Sequence, residues 1–144
     1  MIRQRLGKDL LFFDGGMGTL LQEKGLAPGE LPETWNLTHS EEIYKIHRQY
    51  IEAGSDIILT NTFGANALKF HDDSCSLEEI IKAAVSHVKK AEREALLQTG
   101  DERKIYTALD VGPTGKLLKP MGDLEFETAY EAFKEVVILG EQAG

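Results

Sequence analysis

Three places in the 144 residues put a short polar side chain at the end of an apolar run and follow it with glycine. Phe12 and Phe13 lead into Asp14, Gly15 and Gly16. The run at 57–60 leads into Asn61, Thr62, Phe63 and Gly64, and the run at 105–109 into Asp110, Val111 and Gly112. Short acids and amides select the polar groups of a small ligand, and glycine lets backbone amides approach it closely. The same residue types serve ordinary turns and caps, so one such place reads equally well as a turn. Three on the same edge favour a binding site.

The chemistry of "DGGMGT" narrows the ligand. The stretch is not GxGxxG, and no GxxxxGK[ST] occurs in the chain. Successive free amides hold a carboxylate as readily as a phosphate. Asp14 beside them repels a highly charged phosphate and suits an ammonium group. The pairing points to a zwitterion, with its carboxylate on the Gly15 and Gly16 amides and its amino group on Asp14.

These positions need elements to hold them. Residues 10–13, 57–60 and 105–109 are short apolar runs bounded by turn residues, and read as buried strands. Residues 40–54 carry Ile43, Ile46, His47, Tyr50 and Ile51 at helical spacing, with Ser40 as the expected cap and Gly54 as the stop. "SLEE" opens a second helix, with Ser76 and Glu79 as a capping box. Its stripe is Ile81, Ala84, Val85, Val88, Ala91 and Ala95, closed by Gly100. Asp123 is the expected cap of a third helix, carrying Phe126, Ala129, Tyr130, Phe133, Val136 and Val137. Strand and helix alternate, which favours a parallel sheet and an α/β fold. The connection at 23–39, with Pro28, Gly29 and Pro32, is long enough to be functional. No linker divides the chain, so residues 1–144 read as one unit.

Composition excludes several functions. The net charge of −8 argues against nucleic acid or an anionic membrane as partner. Nothing approaches the roughly 20 apolar residues of a membrane span, and the N-terminal apolar run is too short for a signal peptide. Cys75 is the only cysteine, so an intrachain disulfide is impossible. A reducing cytoplasm is the simplest compartment.

Other candidates are weaker. His39, His47, His71 and His87 show no HxxxH or HExxH spacing. His71 with Asp72 and Asp73 contains metal-ligand types but reads better as a solvated loop, and Cys75 as a surface thiol. His47 reads as a packed, hydrogen-bonded histidine rather than a catalyst. Trp35 either closes over a ligand or packs the connection down. No catalytic triad can be assembled from the spacing.

The stretches "DGGMGTLLQ", "ELPETWNLTHSEEIYKIHRQYIEAGSDIILTNTFGAN" and "ALDVGPTGKLL" together resemble the homocysteine S-methyltransferase domain family, in order and across essentially the whole chain. The likeness is nearest to the homocysteine-binding module of cobalamin-dependent methionine synthases and related bacterial enzymes. It implies a (β/α)8 TIM barrel that transfers a methyl group to the homocysteine thiol, giving methionine. It also implies a zinc ion on three cysteines that holds the sulfur as a thiolate, and a methyl donor such as methylcobalamin, a folate or a sulfonium compound. By this resemblance Asp14 meets the substrate's amino group, Gly15 and Gly16 are the amides beside it, and Asn61, Thr62 and Asp110 line the pocket.

The family's zinc cysteines follow its sixth and eighth strands, and Cys75 matches none of them. The chain therefore reads as the first three βα units of eight, ending before a fourth strand. It supplies part of the homocysteine pocket, no catalytic residue and no zinc ligand, with cobalamin and folate bound by other domains. Three parallel strands do not close a barrel. Such a piece is expected to fold poorly alone, or to associate with the rest of the barrel or with itself, and to lack activity. Two other readings remain: a small α/β amino-acid-binding module without catalysis, and an inactive piece that acts only by association.

Overall fold

The computed structural model describes residues 2–71, 74–100 and 102–144. Helix α1 (Met17–Glu23) follows the first glycine turn. A 3-10 turn (Pro32–Thr34) and the short helix α2 (Trp35–Thr38) lie in the long connection. Then come α3 (Ser40–Glu52), β1 (Ile57–Leu59), α4 (Leu77–Thr99), β2 (Tyr106–Ala108) and α5 (Phe126–Ala143).

The sheet is parallel, as the alternation requires. Ile57, Ile58 and Leu59 pair with Tyr106, Thr107 and Ala108. The first expected strand is reduced to a single parallel bridge between Phe13 and Ile57. The Asp56 and Ile57 amides donate to the Phe12 carbonyl, and the Asp14 amide donates to the Ile57 carbonyl at 3.0 Å. The three segments thus lie side by side in chain order. The first is not buried, however: Leu10, Phe12 and Phe13 are 83%, 59% and 58% exposed. Apolar character alone does not bury a strand when no element covers its face.

Helices α3 and α4 behave as their periodicity dictates, whereas the starts of α3 and α5 and half of the expected stripe of α5 differ. The Ser76–Glu79 capping box forms, and Gly100 closes α4 in the left-handed conformation. The stripe from Ile81 to Ala95 is buried along its length, and α4 packs between α3 and α5. Ser40 is not a cap. It is already helical, because α2 and His39 carry the chain directly into α3, and the His39 ring stacks on Trp35 at 4.0 Å. Asp123 is not a cap either. Residues 117–124 fold back through a bridge between Leu118 and Leu124, so α5 starts after Glu125. On α5, Ala129, Ala132 and Val136 are buried, whereas Phe126, Tyr130 and Val137 face outward.

Among the described residues the core forms three patches. One joins Tyr44, Ile51, Ile58, Val88 and Ile105 behind the sheet. A second packs Trp35 with Leu21, Leu26, Ile43 and Ile46, and a third joins Phe70, Ile80, Ile81 and Val136. Burial of this kind stabilises by about 25 cal/mol per Å² of apolar area removed from water.

Candidate functional site

A cavity of about 430 Å³ opens at the C-terminal end of the sheet. Asp14, Gly15, Gly16, Asn61 and Asp110 all line it. The turns after the three parallel segments therefore converge, as C-terminal strand ends do in parallel α/β folds. Thr62 does not line it. Its hydroxyl lies behind the wall, donating to the Asp110 carbonyl at 2.8 Å and meeting the Thr60 hydroxyl at 2.7 Å. Thr60 also accepts from the Asp110 amide at 3.1 Å, so the two threonines fasten the second strand end to the third.

Asp14 is held from both sides. Its amide bonds to β1, and its Oδ2 accepts the Leu59 amide at 3.1 Å. Its Oδ1 is buried with no partner among the described residues. Burial raises the Asp14 pKa from 3.8 to about 6, the Leu59 amide opposes this, and the negative charge of Asp110 adds to the rise. Burial likewise raises the Asp110 pKa, with Glu33 contributing. A desolvated carboxylate with a free oxygen beside a second acid is a receptor for a cation.

The long connection expected to be functional supplies the other wall, although its acids Glu30 and Glu33 were not singled out from the sequence. Gly29, Glu30, Leu31, Pro32 and Glu33 of the long connection line the cavity. Asn61 pins this wall by donating from Nδ2 to the Pro32 carbonyl at 2.8 Å, and Asn36 donates back to the Asn61 carbonyl. Glu33 is 3% exposed and accepts the Gly64 amide. A β-carbon on Gly64 would lie 2.8 Å from Glu33 Oε1, so a larger residue there would push the Glu33 carboxylate aside. The signal for Glu33 was an acid next to proline in a connection too long to be a plain link. Trp35 packs the connection down: it is 3% exposed and donates from Nε1 to Glu30 at 2.7 Å. Phe63 and Lys69 complete the rim.

The model of the homocysteine S-methyltransferase family matches residues 11–144. This chain belongs to that family. The chain is 30% identical over 138 residues to a methionine synthase of Mycobacterium leprae, covering 92% of this chain and 11% of that protein. A methionine synthase of Mycobacterium tuberculosis is also 30% identical, over 139 residues, with 92% and 12% covered. The fold resembles the oxidized form of the homocysteine methyltransferase MmuM from Escherichia coli, with a TM-score of 0.82 and 22% identity. That likeness covers 99% of this chain and 53% of MmuM. The metallated form of MmuM gives the same score at 21% identity. The chain thus spans about half of MmuM and a much smaller share of the methionine synthases.

The residues at this cavity do not fit a thiolate metal centre. Cys75 packs beside Phe70 and Ile80 and does not line the cavity. Among the described residues no group of three His, Cys, Asp or Glu side chains is arranged to hold a metal ion. Asp72 and Asp73, the expected companions of His71, lie outside the described residues. His47 is fully buried, but neither ring nitrogen has a hydrogen-bond partner among the described residues, which corrects the expectation of a hydrogen-bonded histidine. No helix among the described residues is long and apolar enough to cross a membrane.

Proposed function

We propose that this chain forms the amino-acid end of a homocysteine pocket in an enzyme that methylates the homocysteine thiol to give methionine. The observation that carries the reading is Asp14, desolvated and with one oxygen unpartnered, at the head of a cavity shared with Asp110. In this reading Asp14 receives the substrate ammonium group, Gly15 and Gly16 offer amides to its carboxylate, and Asn61 and Asp110 complete the wall. Thr62 acts through Asp110, by fixing its backbone.

The residues that would bind zinc, and the domains that would bring cobalamin or a folate, belong in this reading to parts of longer relatives outside these 144 residues. In this reading residues 1–144 act as one unit, the first three βα units of a TIM barrel. The chain alone then binds homocysteine without methylating it. Calorimetric titration with L-homocysteine, paired with a methionine-formation assay, tests both halves. Binding without turnover is expected. No binding at millimolar ligand, or turnover by the chain alone, overturns the reading.

A second reading is an amino-acid-binding module without catalysis. It is favoured by the absence of any cysteine from the residues lining the cavity. L-Homocysteine and L-norvaline, which lacks the thiol, bind equally if it holds.

A further inference from the structure

The cavity is unevenly charged. Asp14, Glu30, Glu33 and Asp110 line it, and Lys69 is the only cationic side chain among the lining residues. Lys69 has no ion-pair partner among the described residues, although acids are plentiful on this chain. Its ammonium lies 5.2 Å from the centre of the Phe63 ring, a cation–π distance.

That platform is fixed by neighbours on two strand ends. The Gly112 amide donates to the Phe63 carbonyl at 3.1 Å. A β-carbon on Gly112 would fall 2.2 Å from that oxygen and 2.8 Å from the ring. Phe63 is thereby wedged against the turn after β2. The Lys69 amide donates to the carbonyl of Asn66, which is 2% exposed. The backbones of Phe63 and Lys69 are therefore held at the cavity rim, while the half-exposed Phe63 ring and the lysine stem can adjust to a ligand.

We infer that Lys69 is a specificity-determining residue that pairs with the ligand's carboxylate and selects α-amino acids over simple amines. This rests on the reading of the cavity as an amino-acid site. Four carboxylates alone would accept any small cation. A zwitterion also brings a negative charge into an acidic cavity, and neutral backbone amides oppose that repulsion less than a full positive charge does. A lysine on a flexible stem reaches such a group as a point charge.

The test compares two ligands on one protein. L-Homocysteine and 3-aminopropane-1-thiol share the thiol and the ammonium group and differ by the carboxylate. The wild-type chain is expected to prefer homocysteine. Lys69→Met should weaken homocysteine binding about tenfold, the scale of one charge-assisted contact, and leave the amine unchanged. Lys69→Arg should keep most of the preference. The ratio of the two affinities is read within each preparation, so a change in folding stability does not imitate the result. Equal loss for both ligands, or no loss for either, overturns the role of Lys69 while leaving the amino-acid site standing. A wild-type chain that binds neither ligand overturns the site and this role with it.

Discussion

Tyr50 donates its hydroxyl to the Gly16 carbonyl at 3.2 Å, and the same oxygen stands 2.8 Å from where a β-carbon on Gly15 would lie. The glycine turn that opens the cavity is therefore shaped against a side chain from α3. Gly15→Ala should displace the Tyr50 ring and destabilise the chain by about 1–2 kcal/mol, within the usual cost of overpacking. Pairing it with Tyr50→Ala should recover part of that loss in a double-mutant cycle. Chemical denaturation measures both, and strict additivity would contradict the contact.

Acidification should weaken ligand binding through Asp14. The ligand's ammonium group prefers the carboxylate, and the Asp14 pKa stands at about 6. Homocysteine affinity should fall about tenfold between pH 7.5 and pH 5, following the ionised fraction. Asp14→Asn should bind weakly and lose this pH dependence. For stability the sign is reversed. A carboxyl whose pKa is raised by folding contributes stability below its ordinary value of 3.8, and this is lost as pH rises through about 6. Asp14→Asn should therefore raise the melting temperature at pH 8 more than at pH 4.

His47 works in the opposite direction. Burial, assisted by His87, lowers its pKa from 6.5 to about 3. The unfolded chain takes up a proton that the folded chain refuses, so stability falls as pH drops below 6.5 toward 3. This residue alone should cost about 2 kcal/mol between pH 7.5 and pH 5. His47→Leu removes two unpartnered polar atoms and should be neutral or stabilising at pH 7.5 and clearly stabilising at pH 5. Thermal melts at the two pH values measure this, and an equal shift at both would contradict it.

Glu33 ties the long connection to the turn after β1. Glu33→Ala leaves the Gly64 amide without its acceptor, at an expected cost of about 1–3 kcal/mol. Glu33→Gln keeps an acceptor and should cost less. Both variants remove a negative charge that raises the Asp110 pKa, so that pKa should fall. Carboxyl-carbon NMR titration measures the shift, and an unchanged Asp110 would contradict the coupling.

The outward apolar side chains should drive association. Leu10, Phe12 and Phe13 on the first segment and Phe126, Tyr130 and Val137 on α5 are exposed. Such surface marks an interface or an aggregation site. Light scattering should show mass rising with protein concentration, and Phe126→Glu with Val137→Glu should reduce it. A monomer with a sharp melt at all concentrations would contradict this expectation.

What the sequence determined by itself was local. Ser76 and Glu79 are three residues apart, and their capping box depends on nothing beyond that turn of chain. The stripes of α3 and α4 follow from helical spacing, and the acid-then-glycine pattern marks where the parallel segments end. Folding alone set the relationships between residues far apart in the chain. It sent the Thr62 hydroxyl behind the wall, brought Glu33 and Lys69 to the cavity, and left the His47 ring without a partner. It also left Phe12 and Phe13 exposed although their composition reads as buried strand. Burial and pairing depend on which distant surfaces meet, and the same side chain is core, wall or interface according to what covers it. For Asp14 the two levels meet: its type and place are read from the chain, but its raised pKa arises only where the folded neighbours exclude water.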